Sequence, residues 1–124
     1  MFQMENRELK KYIGQRDIAE VVIPDSVMSI GTCAFRGCSS LTSITIPDSV
    51  TSIGDYAFWC CEKLVSITIP DNIMSIGSDT FRSCNNLTNI YVKIGNQKVK
   101  FFLYDGHLDD NTWQKMRILA KEKI

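Results

Sequence analysis

PDSVTSIGDYAFWCCEKLVSITI, residues 47–69, is the stretch that decides the fold. Moved back by 23 positions it lies without a gap over PDSVMSIGTCAFRGCSSLTSITI, residues 24–46, and moved forward by 23 it lies over PDNIMSIGSDTFRSCNNLTNIYV, residues 70–92. Proline recurs at Pro24, Pro47 and Pro70, and aspartate follows each time at Asp25, Asp48 and Asp71. The other shared columns are Val27/Val50/Ile73, Ile30/Ile53/Ile76, Gly31/Gly54/Gly77, Phe35/Phe58/Phe81, Cys38/Cys61/Cys84, Leu41/Leu64/Leu87, Ile44/Ile67/Ile90 and Ile46/Ile69/Val92. Ile18, Val21 and Ile23 carry the last three columns one step toward the N-terminus. A fixed period of this length marks stacked structural repeats.

Each column has a physical reading. The end of each unit, as in Leu41-Thr42-Ser43-Ile44-Thr45-Ile46, alternates apolar and polar residues with β-branched side chains, which is a strand with one buried face. Proline ends that strand because it has no N–H to donate, and Pro-Asp-Ser or Pro-Asp-Asn is turn chemistry. The Ile-Gly step marks a second bend, where a side chain would be crowded or φ positive. The segment after it, such as Asp55-Tyr56-Ala57-Phe58-Trp59-Cys60, has room for one or two helical turns with Ala and Phe inward. One unit cannot stand alone. About eight buried apolar side chains supply roughly 1.5–3 kcal/mol each, while ordering the backbone costs roughly 1–2 kcal/mol per residue. Stacking supplies the missing burial and pairs successive strands in a parallel ladder.

The columns Leu-x-x-Ile-x-Ile-Pro, Ser-Ile-Gly, Ala-Phe and Cys-x-x-Leu resemble the BspA-like (treponemal-type) class of leucine-rich repeats over residues 18–92. Leu9-Lys10-Lys11-Tyr12-Ile13-Gly14 is similar to the segment that often precedes such arrays. The resemblance implies an α/β chain folded as a right-handed, curved solenoid with short parallel strands on its concave side. It also implies an interaction role, often adhesion at bacterial or protist cell surfaces, and carries over no catalytic residue. Two features depart from the class: the array is short, and the C-terminal segment leaves the repeat.

Three regions follow: a cap over residues 1–17, one partial and three full units over 18–92, and a hairpin-and-helix cap over 93–124. The first cap is expected as a hairpin turning near Asn6, with Phe2, Met4, Leu9 and Tyr12 apolar. In the last region, Tyr91–Ile94 and Gln97–Phe101 flank Gly95-Asn96 and read as a tight hairpin. Asp109, Asp110 and Asn111 are N-cap candidates for a helix over 110–122 that packs on the last strand. Trp113, Met116, Leu119 and Ala120 form its inner face. A partner-binding amphipathic helix is the rival reading.

Composition narrows the functions. Fourteen basic residues balance fourteen acidic ones. Residues 21–92 carry net −3 and residues 93–124 net +3, with no dense basic stripe of the kind nucleic acid requires. No apolar run is long enough to span a membrane. The N-terminus shows no secretory signal, and five cysteines with the column members read as buried free thiols favour a reducing compartment. The expected location is therefore the cytoplasm, or a cell surface if the chain belongs to a longer secreted protein. Spacing and ligands for zinc are missing, His107 reads as a surface-loop residue, and no nucleophile or phosphate-loop motif occurs. The post-proline aspartates read as turn caps rather than acid–base pairs. Asn86-Leu87-Thr88 matches a glycosylation sequon by coincidence, since Leu87 is a core-column residue. No cofactor, no metal and no enzymatic activity are expected.

The candidate partner-binding surface is the strand face opposite the core: Glu20 and Val22, Ser43 and Thr45, Ser66 and Thr68, Asn89 and Tyr91. It is rich in hydroxyls, nearly uncharged, and ends in an aromatic. A plain β-favourable surface is the alternative. Trp59, with Arg36 and Arg82 in the same column, should be exposed, either stacked between two guanidinium groups or acting as a contact hot spot. The leading reading is a non-enzymatic module for protein–protein interaction. The alternative is a structural element with weak self-association.

Overall fold

A computed structural model describes residues 1–124 except 13, 15, 16 and 104–107, so His107 and the Asp105-Gly106 turn lie outside the described residues. The chain winds through about four coils, with two parallel sheets on different sides of one core. The long-strand sheet contains β3 (Glu20–Val22), β5 (Ser43–Thr45), β7 (Ser66–Pro70) and β9 (Asn89–Ile94), in that spatial order. The short-strand sheet contains β4 (Ser29–Ile30), β6 (Ser52–Ile53) and β8 (Ser75–Ile76), built from the Ser-Ile pair before each column glycine. Registers step by 23 residues in both: Ile44 faces Ile67 and Ile67 faces Ile90, while Ile30 faces Ile53 and Ile53 faces Ile76. All six are buried.

Each sheet is extended by one hairpin. β1 (Phe2–Glu5) and β2 (Glu8–Tyr12) turn at Asn6 and Arg7, both with positive φ, and β2 pairs in parallel with β4. β10 (Gln97–Phe102) returns antiparallel to β9 through Gly95, whose φ is +58°. Between the sheets runs a column of rings. Phe35, Phe58 and Phe81 lie nearly parallel with centroids 5.1 and 5.3 Å apart, and Tyr12, one period upstream, continues the stack at 5.6 Å.

No helical turns form after the column glycines, contrary to the sequence expectation. Cys33, Tyr56 and Asp79 adopt positive φ, and so do Gly37, Cys60 and Ser83 four residues later. In the first two coils these turns accompany a third strip of hydrogen bonds. The N–H groups of Cys33, Phe35 and Gly37 donate to Asp55, Ala57 and Trp59 carbonyls of the next coil at 3.0, 2.7 and 2.8 Å. Tyr56, Phe58 and Cys60 repeat the pattern onto Ser78, Thr80 and Arg82 at 3.1, 2.9 and 3.0 Å. A helix would spend those donors within its own coil. The left-handed residues turn them toward the neighbour instead, at a cost of roughly 1–2 kcal/mol for each non-glycine.

The glycine column is explained by crowding. A Cβ on Gly54 would sit 2.8 Å from the Thr32 backbone nitrogen, and one on Gly77 would sit 2.5 Å from that of Asp55. Coils approach there as the Gly54 and Gly77 N–H groups donate to Ile30 and Ile53 at 2.7 and 2.8 Å. Cys38, Cys61 and Cys84 are buried thiols outside any disulfide. The Cys61 thiol donates to the Phe35 carbonyl at 3.2 Å and the Cys84 thiol to the Phe58 carbonyl at 3.0 Å, so the column ties coil to coil. Hydrogen bonding with Cys38 and Cys84, and then burial, push the Cys61 thiol well above its ordinary pKa.

The helix α1 (Asp110–Glu122) covers the end of the short-strand sheet. Asp109 caps it, its carboxylate accepting the Thr112 N–H at 2.8 Å. Trp113 is fully buried and donates its indole N–H to the Ile73 carbonyl at 3.0 Å. Asp110 accepts the Ile76 N–H at 2.9 Å, and Gln114 and Arg117 donate to the Met74 and Asp71 carbonyls at 2.7 and 2.9 Å. These bonds satisfy backbone groups that a further coil would otherwise meet. Leu119, expected inward, is instead 47% exposed. Trp113, Met116 and Ala120 set the inner face, and Leu119 lies on its rim.

Candidate binding face

The outer side of the long-strand sheet is arranged in straight rows. Glu20, Ser43, Ser66 and Asn89 are Cα partners in succession, as are Val22, Thr45, Thr68 and Tyr91. These are the eight strand residues singled out in the sequence, and the ladder brings them together. They are not equally available. Val22 is 87% exposed and Thr45 is exposed, whereas Thr68, expected on the open face, is only 7% exposed. Its row partner on β9 is the bulky Tyr91.

The rows continue past Tyr91. In the hairpin, Asn89 faces Phe102, Tyr91 faces Lys100 and Lys93 faces Lys98. The face therefore ends in an aromatic and basic region that includes Lys98, Lys100 and an exposed Phe102. The Lys100 ammonium lies 4.6 Å from the Phe102 ring centroid and 5.9 Å from that of Tyr91, within cation–π range. Carrying the two-residue alternation of Asn89, Tyr91 and Lys93 through the Gly95-Asn96 turn would have found these residues.

At the other end of the rows the face is acidic. A shallow hollow of about 600 Å³ lies over β3 and β5, with Glu20, Val22, Thr45, Asp25, Asp48 and Lys93 among its walls. Lys93 reaches back across roughly two strand spacings, about 10 Å, to pair with Asp48 at 3.0 Å. It passes over Pro70, which is buried where Pro24 is exposed. The post-proline turns close through backbone bonds, Val50 N–H to Pro47 at 3.1 Å and Ile73 N–H to Pro70 at 3.2 Å. Two of their carboxylates serve in ion pairs, Asp48 with Lys93 and Asp71 with Lys121 at 3.6 Å.

Trp59 is half-buried rather than exposed. The Arg36 guanidinium lies 4.3 Å from its ring centroid, and the Tyr56 ring packs against it at 5.4 Å, tilted by 56°. Asn86 of the sequon donates its amide to the Glu62 carbonyl at 2.8 Å, and Leu87 is fully buried. Among the described residues, no three of His, Cys, Asp and Glu gather closely enough to hold a metal ion.

The family model described as the BspA-type leucine-rich-repeat region, six copies, matches residues 10–109. The chain belongs to that family. Solved structures agree. The leucine-rich-repeat protein TpLRR of T. pallidum is 31% identical with a TM-score of 0.65, over 73% of this chain and 45% of that one. A leucine-rich-repeat protein of Bacteroides ovatus is 36% identical with a TM-score of 0.57, over 73% of this chain and 26% of that one. A leucine-rich cell surface protein of Faecalibacterium prausnitzii is 29% identical with a TM-score of 0.50, over 72% of this chain and 36% of that one. This BspA-type chain thus spans less than half the length of the structures it matches. No match is found among curated proteins. Membership makes the chain a repeat scaffold, a class not generally enzymatic. No described helix is long and apolar enough to cross a membrane.

Proposed function

We propose that this protein is a non-enzymatic binding module that presents the outer face of its long-strand sheet to a protein partner. The observation that carries the reading is the row geometry. Four strands hold Glu20, Val22, Ser43, Thr45, Ser66, Asn89 and Tyr91 in register across a face with an acidic hollow at one end. Tyr91, Phe102 and Lys100 at the other end are residue types that anchor interfaces or lend them charge. A partner lying across the strands would place basic groups over Glu20, Asp25 and Asp48 and acidic or aromatic groups against Lys98, Lys100 and Phe102. Such charge matching sets orientation and encounter rate more than affinity. Adhesion is the variant of this reading supported by the Faecalibacterium neighbour, which is a cell surface protein.

The test is affinity capture with the intact chain, compared with Thr45→Arg and Phe102→Ala. Both sites are exposed, so neither variant unsettles the core. Partners lost by both variants support the face. Partners retained by both rule it out. Thr68→Arg is unsuitable, because that side chain is buried.

A further inference from the structure

The outward side of α1 carries a pattern the monomer does not use. Trp113, Met116 and Ala120 are buried, and the Arg117 bond to Asp71 fixes the neighbouring side, so the opposite face of the helix presents Lys115, Ile118 and Glu122, with Leu119 on its rim. Ile118 is 62% exposed and Leu119 47%. Lys115 and Glu122 are exposed, and neither has an ion-pair or hydrogen-bond partner among the described residues. Met74 is also exposed beside this helix, where Gln114 holds its carbonyl.

These residues read basic, apolar, apolar, acidic over seven positions, roughly two helical turns or about 10 Å. The pattern is complementary to its own reverse. Laid antiparallel on an identical helix about a two-fold axis between positions 118 and 119, Lys115 meets Glu122 of the second copy, and Ile118 meets Leu119 of the second copy. The same contacts recur on the other side of the axis, as an isologous interface requires. A parallel arrangement would set lysine on lysine and glutamate on glutamate. We infer that α1 is a self-association surface, pairing antiparallel with α1 of a second copy through Ile118 and Leu119 and two Lys115–Glu122 ion pairs.

The apolar strip is short, so the contact falls at the small end of specific interfaces, and the dimer is reversible and weakened by salt. It joins the two protomers at their helices and leaves both long-strand faces free. The proposal is independent of what those faces bind, but if they bind a partner it gives the assembly two-site avidity.

Sedimentation equilibrium on the intact chain, from micromolar to near-millimolar concentration, tests this. The expected mass rises toward that of a dimer. Ile118→Asp should weaken association by about tenfold or more. Lys115→Glu alone and Glu122→Lys alone should each do the same, since either creates two like-charge contacts at once. The double variant K115E/E122K should restore wild-type association, because the pattern is then reversed on both copies. Helical circular dichroism of every variant should match wild type, as none of the three side chains is in the core. A monomer at all concentrations, or a double variant no better than the singles, overturns the proposal.

Discussion

The two sheets grow from the same repeat, yet the molecule treats them differently. The short-strand sheet is extended at one end by the β1–β2 hairpin and covered at the other by α1, whose side chains occupy backbone groups of the last coil. Its coils meet backbone to backbone at the glycine column. The long-strand sheet is continued only at its C-terminal end, by β10. At its other end β3 has a paired neighbour on one side only, among the described residues. The lesson is a division of labour. Tolerance to change should be low where coils touch through Gly31, Gly54 and Gly77, and high on the face bearing Val22 and Thr45. An edge such as β3 is a place for another chain to add, and its brevity limits that hazard.

Removing the closure is the hardest blow to this contrast. Trp113→Ala should cost about 3–5 kcal/mol, since it empties a fully buried site and orphans the Ile73 carbonyl. Urea denaturation should show a lowered midpoint and earlier loss of helix signal. Next, Gly54→Ala should cost about 1–3 kcal/mol by forcing a methyl against the preceding coil. Thr45→Arg on the other sheet should change stability by less than about 0.5 kcal/mol. Equal losses from the two would abolish the distinction.

A pH titration sharpens the picture of the thiol column, which serves neither face. The Cys61 thiol is held neutral in the folded chain, whereas in the unfolded chain it ionises from about pH 8.5. Above that pH the unfolded state binds fewer protons than the folded one. The contribution of Cys61 is then flat below about pH 8 and falls above it, by up to about 1.4 kcal/mol per pH unit, while the Cys84 thiol, lowered by its hydrogen bond with Cys61, offsets part of the fall. Thermal melts of wild type and Cys61→Ala across this range should show the steeper decline in wild type. Identical slopes would mean that the thiol ionises in place. The smallest effect is a gain. Ser83 shares with Gly37 a left-handed position whose glycine Cβ would meet nothing within 4 Å. Ser83→Gly should therefore stabilise by up to about 1 kcal/mol.

Much of this architecture was legible in the sequence because burial repeats with the chain. Proline, glycine, phenylalanine and cysteine columns each answer to one steric demand, and the demand recurs at every coil. The α1 boundaries were legible for a similar reason, since Asp109 caps and the apolar spacing is helical. What escaped depends on backbone direction rather than on residue type. Nothing about Tyr56, Cys60 or Asp79 announces a positive φ; at Tyr56 and Cys60 it goes with a bond to a carbonyl of the next coil, which one unit's sequence does not show. Two-residue strands such as Ser52–Ile53 are too short to show alternation, so in the sequence the second sheet looks like a bend. Leu119 lay at the edge of an amphipathic stripe, where spacing does not distinguish in from out. On the candidate face the rows were readable from periodicity. The burial of Thr68 was not, because Thr45 and Thr68 hold the same column position and one is exposed while the other is buried. The basic extension through Lys98, Lys100 and Phe102 needed the register of the Gly95-Asn96 turn.

The inter-coil hydrogen bonds, linking each residue to one 22 positions on in the third strip and joining strands in steps of 23, make length a quantised property. Excising residues 47–69 would deliver Ile46 directly to Pro70 and set Phe35 on Phe81 and Cys38 under Cys84, with every ladder intact. Inserting a single residue within a strip would break the register of that strip with both neighbouring coils, whereas one inserted in a turn between strips would be held as a bulge. The reach of the chain along the solenoid axis is therefore adjusted by whole coils, in increments of one strand spacing.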